Sequence, residues 1–159
     1  MAHITSITYR PANVEQRPPD WYARVPVERT QLIPSRGIEG DTKGSTKDRQ
    51  LNVMLAETVE RLREEGFKTA PGELGEQLVI AGLASGALSP GVQVRLGASA
   101  IIEIGIPRTG CSRFAHIQGK PIKDTRGKMG FMAHVIRGGE IAVGDEVRIE
   151  IGGCPKEAT

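Results

Sequence analysis

Aromatic residues are scarce: Phe, Trp and Tyr together make up 4% of the 159 residues. A hydrophobic core must therefore rest on Ile, Val and Leu. Cysteine is rarer still, with only Cys111 and Cys154 in the chain. Two cysteines do not make a disulfide scaffold, and in a reducing compartment they are expected as free thiols rather than a bridge. No apolar run approaches the roughly 18 residues that a membrane helix needs. The start, Met1-Ala-His-Ile-Thr-Ser-Ile, lacks the charged-then-apolar layout of a secretory leader. A cytoplasmic location with no membrane partner is the expectation. Neither sign of charge dominates: 21 Lys and Arg face 19 Asp and Glu, for a net charge of +2. Global electrostatics thus predict no nucleic-acid partner. Gly119-Lys120 is followed by proline, so there is no phosphate-cradling lysine loop. No strand leads into a G-x-G-x-x-G helix start, no Cys-x-x-Cys occurs, and His3, His116 and His134 have no zinc spacing.

What is present fits one globular domain spanning residues 1–159, with 38% hydrophobic and 25% charged residues. A chain of this length buries about two thirds of its unfolded surface, enough to fold without metal or disulfide. Twenty glycines and ten prolines punctuate it and favour short strands over long helices. Alternation predicts a first strand over His3 to Arg10. Residues 11–35 are Pro-rich, contain the only Trp21, and read as an irregular loop or extended edge. Leu51, Met54, Leu55, Val59 and Leu62 recur at three- and four-residue steps. That predicts one amphipathic helix near residues 50–65, capped by Asp48 and stopped at Gly66. Later strands are expected at Gln77–Ile80, Val92–Leu96, Ala100–Ile106, Met132–Arg137 and Glu146–Ile151, each rich in β-branched residues and bounded by Gly or Pro. Residues 152–159, including Cys154, are expected to form a mobile tail. Many short strands with one helix predict a mainly β fold, closed or nearly closed into a barrel.

Two segments could carry chemistry. In Pro107-Arg108-Thr-Gly-Cys111-Ser-Arg113 a thiol follows a strand and sits between two guanidinium groups. Nearby cations favour thiolate over thiol and raise both nucleophilicity and metal affinity. The same residues also suit a half-buried small hydrophobe flanked by surface arginines. The second segment runs from Arg36 through Asp41, Lys43 and Lys47 to Arg49. A polar, Gly-rich loop entering a helix start attracts anions, and Arg49 could fork onto a phosphate. A solvated loop is the other reading.

Taken in order, four segments resemble one family. They are Gly37-x-x-Gly40-Asp41-x-x-Gly44 with Arg49-Gln50, then Pro71-Gly-Glu-Leu-Gly-Glu-Gln-Leu78, then Pro107–Arg113, then Gly130-Phe-Met-Ala-His-Val-Ile-Arg-Gly-Gly-Glu-Ile-Ala-Val-Gly-Asp145. Together, over about residues 36–150, they resemble the MOSC domain, the module named after the C-terminal part of molybdenum-cofactor sulfurases. The resemblance implies a MOSC-type β-barrel akin to the pyruvate-kinase barrel. It implies a sulfur carrier or a molybdenum-cofactor (molybdopterin) binding module in which Cys111 holds sulfur as a persulfide or ligates the metal. Arg49, with Arg113, Lys43 and Arg108 behind it, would hold the pterin phosphate. Two other readings go with it: a molybdenum-dependent reductase of N-hydroxylated compounds with a separate electron donor, and a non-catalytic domain with a degenerate site. The implied partners are a sulfur donor such as a cysteine desulfurase, or a molybdenum-cofactor enzyme. No pyridoxal-phosphate module is expected in a chain this short. The sequence departs from the family where Lys43 replaces a frequent His, where Gln77 replaces the usual Asn, and where Phe114 occupies the position of a second cysteine three residues beyond the first.

Overall fold

The computed structural model describes residues 1–16, 18–42, 50–84, 86–125 and 129–151. The strands are β1 (His3–Tyr9), β2 (Val25–Pro26), β3 (Arg29–Ile33), β4 (Gly37–Ile38), β5 (Leu51–Leu55), β6 (Leu78–Ala81), β7 (Gln93–Leu96), β8 (Ala100–Pro107), β9 (Phe131–Arg137), β10 (Gly139–Ala142) and β11 (Val147–Ile151). The helices are α1 (Ala56–Glu64) and α2 (Ser112–Gln118), followed by a 3-10 turn at Ile122–Thr125. Eight strands form one sheet in the order β11-β7-β8-β9-β5-β6-β1-β2, and β10-β3-β4 form a second. The fold is mainly β, as expected.

The sheets are not closed into a barrel, so of the closed and nearly closed forms expected it is the second that is found. Strand β2 is two residues long and pairs only with the far half of β1, at Thr8 and Tyr9. The near half of β1 meets the other end of the sheet at one point. There His3 and Glu146 form an isolated antiparallel bridge, and the Ile4 amide donates to the Asp145 carbonyl at 3.0 Å. Residues 11–35 are also more regular than expected, since they supply β2 and β3. Their prolines still act as anticipated, because the proline-bearing strand β2 is an edge.

The helix lies partly elsewhere. Leu51, Met54 and Leu55 are on strand β5, and the helix begins at Ala56 with Leu55 as its N-cap. Asp48, outside the described residues, lies too far upstream to cap it. Strand β5 is buried at four of its five positions, so its apolar run lacks the alternation that marks a one-sided strand. By coincidence its residues continue the helical spacing of Val59 and Leu62. Strands β5 and β6 pair in parallel, with Val53 opposite Leu78, so α1 is the crossover that parallel neighbours require. The stop at Gly66 is as read. Gly66 takes φ +93°, its amide reaches the Arg63 carbonyl and that of Phe67 reaches Leu62, each at 3.0 Å, the two bonds of a left-handed helix end.

Two clusters fill the interior. Ile4, Ile7, Leu78, Ile80, Val94 and Ile102 typify the first, which lies between the strands. The second joins Tyr22, Met54, Leu62, Phe67, Leu74, Phe114, Ile117 and Met129 beneath the helices.

Candidate functional site

Strand β8 ends at Pro107, and the next residues run to α2. The Arg108 amide donates to the Gly130 carbonyl at 2.9 Å, which ties this loop to the start of β9. Cys111 is exposed and occupies the N-cap position of α2 in extended conformation. It offers no side-chain cap; its carbonyl accepts from the Ala115 amide at 3.0 Å. The thiol is therefore not used by the backbone. Phe114, one turn on, is 1% exposed and packs into the second cluster with its ring centroid 6.3 Å from that of Phe67. The family's second cysteine position thus points into packing, on the face of α2 opposite to solvent.

The loop rests on a charged cluster that sequence reasoning missed. A strap, Pro18 to Arg24, crosses beneath α2. Arg113 holds it with Nη2 donating to the Pro18 and Trp21 carbonyls, both at 3.1 Å, and with its guanidinium 4.9 Å from the Tyr22 ring centroid. His116 Nε2 lies 3.0 Å from Asp20 Oδ1 at the solvent edge. Arg113 thus clamps the strap through Nη2. The strap carries Tyr22 and Arg24, which are 7% and 5% exposed. The Arg24 guanidinium lies 5.3 Å from the Tyr22 ring centroid, and that of Arg108 lies 5.8 Å from the ring of Phe114.

Gly75 makes this crowding possible. A Cβ there would stand 2.5 Å from Arg108 Nη2 and 3.1 Å from Tyr22 Cζ, at φ +81°. Only glycine accepts both the left-handed backbone and the close approach. The adjacent Glu76 is buried and accepts the amides of Gly72 at 2.8 Å and Leu74 at 3.1 Å. Burial pushes its carboxyl pKa up, while those amides and the charge of Arg108 oppose the rise. Burial pulls the Arg24 guanidinium down to about 10, against the attraction of Asp41, and it stays cationic at neutral pH. Burial also lowers Arg108, whose charge is favoured by Tyr22, Glu76 and Cys111. Tyr22 is raised by burial and by Cys111, and held back by Arg108 and Arg113. These mutual effects place Cys111, Arg108 and Tyr22 within electrostatic reach of one another.

Asp41 is the described end of the second predicted segment. It accepts the Arg10 amide at 3.0 Å and the Gln77 amide at 2.5 Å. Gln77 in turn accepts the Asn52 amide at 2.7 Å. Gln77 therefore locks Gly40-Asp41 to the sheet, a bridging role for which its extra methylene is used. Lys43 and Arg49 lie outside the described residues. Among the sequence candidates, the structure brings Cys111 and Arg108 together and assigns Arg113 to the strap. A single signal could have found the rest: Gly75-Glu76 is a polar pair in front of a fully apolar strand.

Tyr22 Oη, Arg24 Nε and Arg108 Nη1 are buried without a well-formed hydrogen bond among the described residues. Among the described residues no group of three or more His, Cys, Asp or Glu could hold a metal ion, and no helix is long and apolar enough to cross a membrane.

A β-fold with an exposed thiol at a helix start, above buried guanidinium groups, defines a small thiol-bearing module. The MOSC domain model matches residues 39–148, most of the chain, and the chain belongs to the MOSC domain family. The fold is also that of solved structures. YiiM from Geobacillus stearothermophilus superposes with a TM-score of 0.73 at 20% identity, covering 98% of this chain and 78% of its own. The YuaD protein of Bacillus subtilis gives 0.72 at 16% identity, covering 92% and 94%. YiiM from Escherichia coli gives 0.67 at 21% identity, covering 94% and 70%. No curated protein sequence matches the chain.

Proposed function

We propose that this MOSC domain is a thiol-centred module whose Cys111 carries sulfane sulfur or ligates a molybdopterin-type cofactor. The observation that carries this reading is the exposed Cys111 side chain, unused by the helix it caps, on a loop tied to the start of β9 through the Arg108 amide.

For sulfur carriage, the Cys111 thiolate attacks the outer sulfur of a partner's persulfide. A sulfur–sulfur bond forms at Cys111, the bond in the partner breaks, and the partner's thiolate leaves. The donor is a separate protein, such as a cysteine desulfurase, and a molybdenum-cofactor enzyme is the fitting acceptor.

The residues present also fit the cofactor in two respects. A thiolate is a soft donor suited to a soft metal centre, and the unpartnered guanidinium and phenol groups suit an oxyanion such as a pterin phosphate. With Phe114 in the core, one protein thiol is the whole donor set of this loop. A bound molybdenum centre would supply redox chemistry; Arg108, Arg24 and Tyr22 would hold and orient its anionic end.

Protein made in a cofactor-competent host is analysed for molybdenum, pterin fluorescence and a persulfide at Cys111 by peptide mass. The expected result is a substoichiometric or full load of cofactor, or one added sulfur on the Cys111 peptide, lost in Cys111→Ser. Absence of both, after exposure to a desulfurase and cysteine, would overturn the reading.

A further inference from the structure

The strap of residues 18–24 enters no strand or helix. Beyond it the chain is anchored, because Val25 on β2 pairs with Tyr9 on β1. Among the described residues, no backbone–backbone hydrogen bond ties the strap itself to the rest of the protein. Side chains of α2 do so instead. Arg113 Nη2 donates to the Pro18 and Trp21 carbonyls, the same guanidinium lies over the Tyr22 ring, and His116 reaches Asp20 at the rim.

Ala23 stands in the strap at φ +61°, with no exposed surface. Among the described residues Ser35 is the one other non-glycine with positive φ. A residue with a side chain is strained in that region and stays there where its surroundings hold it. A return of Ala23 to ordinary φ would swing residues 18–22 away from α2. Arg24 would remain with β2, since it packs so closely on Gly72 that a Cβ there would stand 3.0 Å from Arg24 Cβ. With the strap down, the space under α2 is filled. The Tyr22 ring carries the guanidinium groups of Arg24 and Arg113 at 5.3 and 4.9 Å from its centroid, and a methyl group at Gly75 would collide with Arg108 and Tyr22.

We infer that the strap is a lid, shut in this structure: residues 18–22 swing about Ala23, Arg113 latches them to α2, and opening lifts Tyr22 out and bares Arg24. Burial of the Tyr22 ring and the Arg113 bonds favour the shut state. Relief at Ala23, and hydration of Tyr22 Oη and Arg24 Nε, which lack well-formed bonds among the described residues, favour the open one. Opposed contributions of this kind give two populated states. The lid deepens the thiol-site reading by naming the step that admits a ligand beneath α2, and rests on that reading only for what is admitted.

The test is native-state proteolysis and arginine labelling of the full chain in urea below its unfolding transition. Chymotrypsin cuts after Tyr22 when the ring leaves its cluster for the protease, and phenylglyoxal marks Arg24 when that side chain is bared; peptide masses locate both. Both rates should be nearly independent of urea, because a local opening exposes little surface. Cleavage after Phe114, which is 1% exposed, should climb with urea as global unfolding does. Arg113→Gln should speed both strap reactions roughly tenfold or more, as loss of hydrogen bonds from a charged group does. Arg113→Lys, which keeps the charge without the fork, should fall between. Tyr22 cleavage and Arg24 labelling that climb with urea in step with Phe114 cleavage overturn the lid, since the strap would then open only with the whole fold. Unchanged rates in Arg113→Gln overturn the latch, and Tyr22 cleavage without Arg24 labelling shows a strap that moves without opening the site. If Arg113→Gln does not fold, the urea dependence in the unaltered protein decides. Cys111→Ser should leave both rates unchanged. A failed persulfide and cofactor assay beside the expected rates sinks the thiol-site reading and leaves the lid standing.

Discussion

The hydrophobic cluster between the strands is built of Ile, Leu, Val and Ala, from Ile4 on β1 to Val147 on β11. The cluster beneath the helices instead gathers Tyr22, Phe67 and Phe114 with Met54 and Met129, and its rings carry guanidinium groups on their faces. Polar side chains buried beside the sheet core, such as Thr8 and Gln50, bond to the backbone of Glu76 and Val135. Around the second cluster, two guanidinium nitrogens and a phenol lack a well-formed partner among the described residues, and Cys111 caps the helix that contributes Phe114 to it. Scarce aromatics are thus concentrated where cations need a partner that does not neutralise them. One region holds the fold, and the other shapes the chemistry.

The largest expected effect tests that division. Phe114→Ala should destabilise the protein by about 3–5 kcal/mol, and Ile102→Ala, in the fully buried sheet core, by about 2–5 kcal/mol. Urea unfolding measures both. The two should differ in a second reading. Phe114 anchors α2, whose N-cap is Cys111, so Phe114→Ala should change the alkylation rate of the thiol under native conditions. Ile102→Ala should leave that rate unchanged. Equal changes in both variants would show that the two regions are one cooperative core, with no division of labour.

Gly75→Ala probes the boundary with a smaller effect. The added methyl would meet Arg108 and Tyr22 and strain a left-handed backbone, at a cost of about 1–3 kcal/mol. The stability loss should be accompanied by altered Cys111 alkylation, because Arg108 must shift. A loss below about 0.5 kcal/mol with unchanged thiol reactivity would show that Arg108 is free to move away, and that the packing around it is loose.

The same contrast explains what could be read from the sequence. Strand β7 alternates in burial and β1 does so in part, while β8 and β9 were legible as β-branched runs bounded by Gly or Pro. Strand β5 is buried on both faces and carries no alternation; followed directly by α1, it read as helix. The fold class and the family motifs were legible because Gly40-Asp41, Gly75-Glu76 and the Cys111 loop are local in sequence. The strap was not. Tyr22 and Arg24 lie more than eighty residues from Arg108, in a Pro-rich stretch without period, and only tertiary packing brings them together. The bond of Arg113 to the Pro18 and Trp21 carbonyls was likewise illegible, because its partners lie more than ninety residues away in the chain.

The smallest effect is a titration. Burial raises the Tyr22 phenol above its ordinary value of 10.0, with Cys111 adding to the rise and Arg108 and Arg113 opposing it. In the unfolded chain that phenol ionises near its ordinary pKa. From about pH 10 upward the unfolded chain therefore sheds its proton first and is favoured. The stability contributed by the protonated phenol is complete below pH 10 and is lost as pH rises through the folded pKa. The chain has two tyrosines, so phenolate absorbance can isolate the one in the strap. Alkaline titration of the unaltered protein should show a component above the ordinary range that is absent in Tyr22→Phe. A Tyr22 component at its ordinary pKa would mean that water reaches the hydroxyl. Its lack of a partner would then say nothing about a ligand, and the strap would be packing alone.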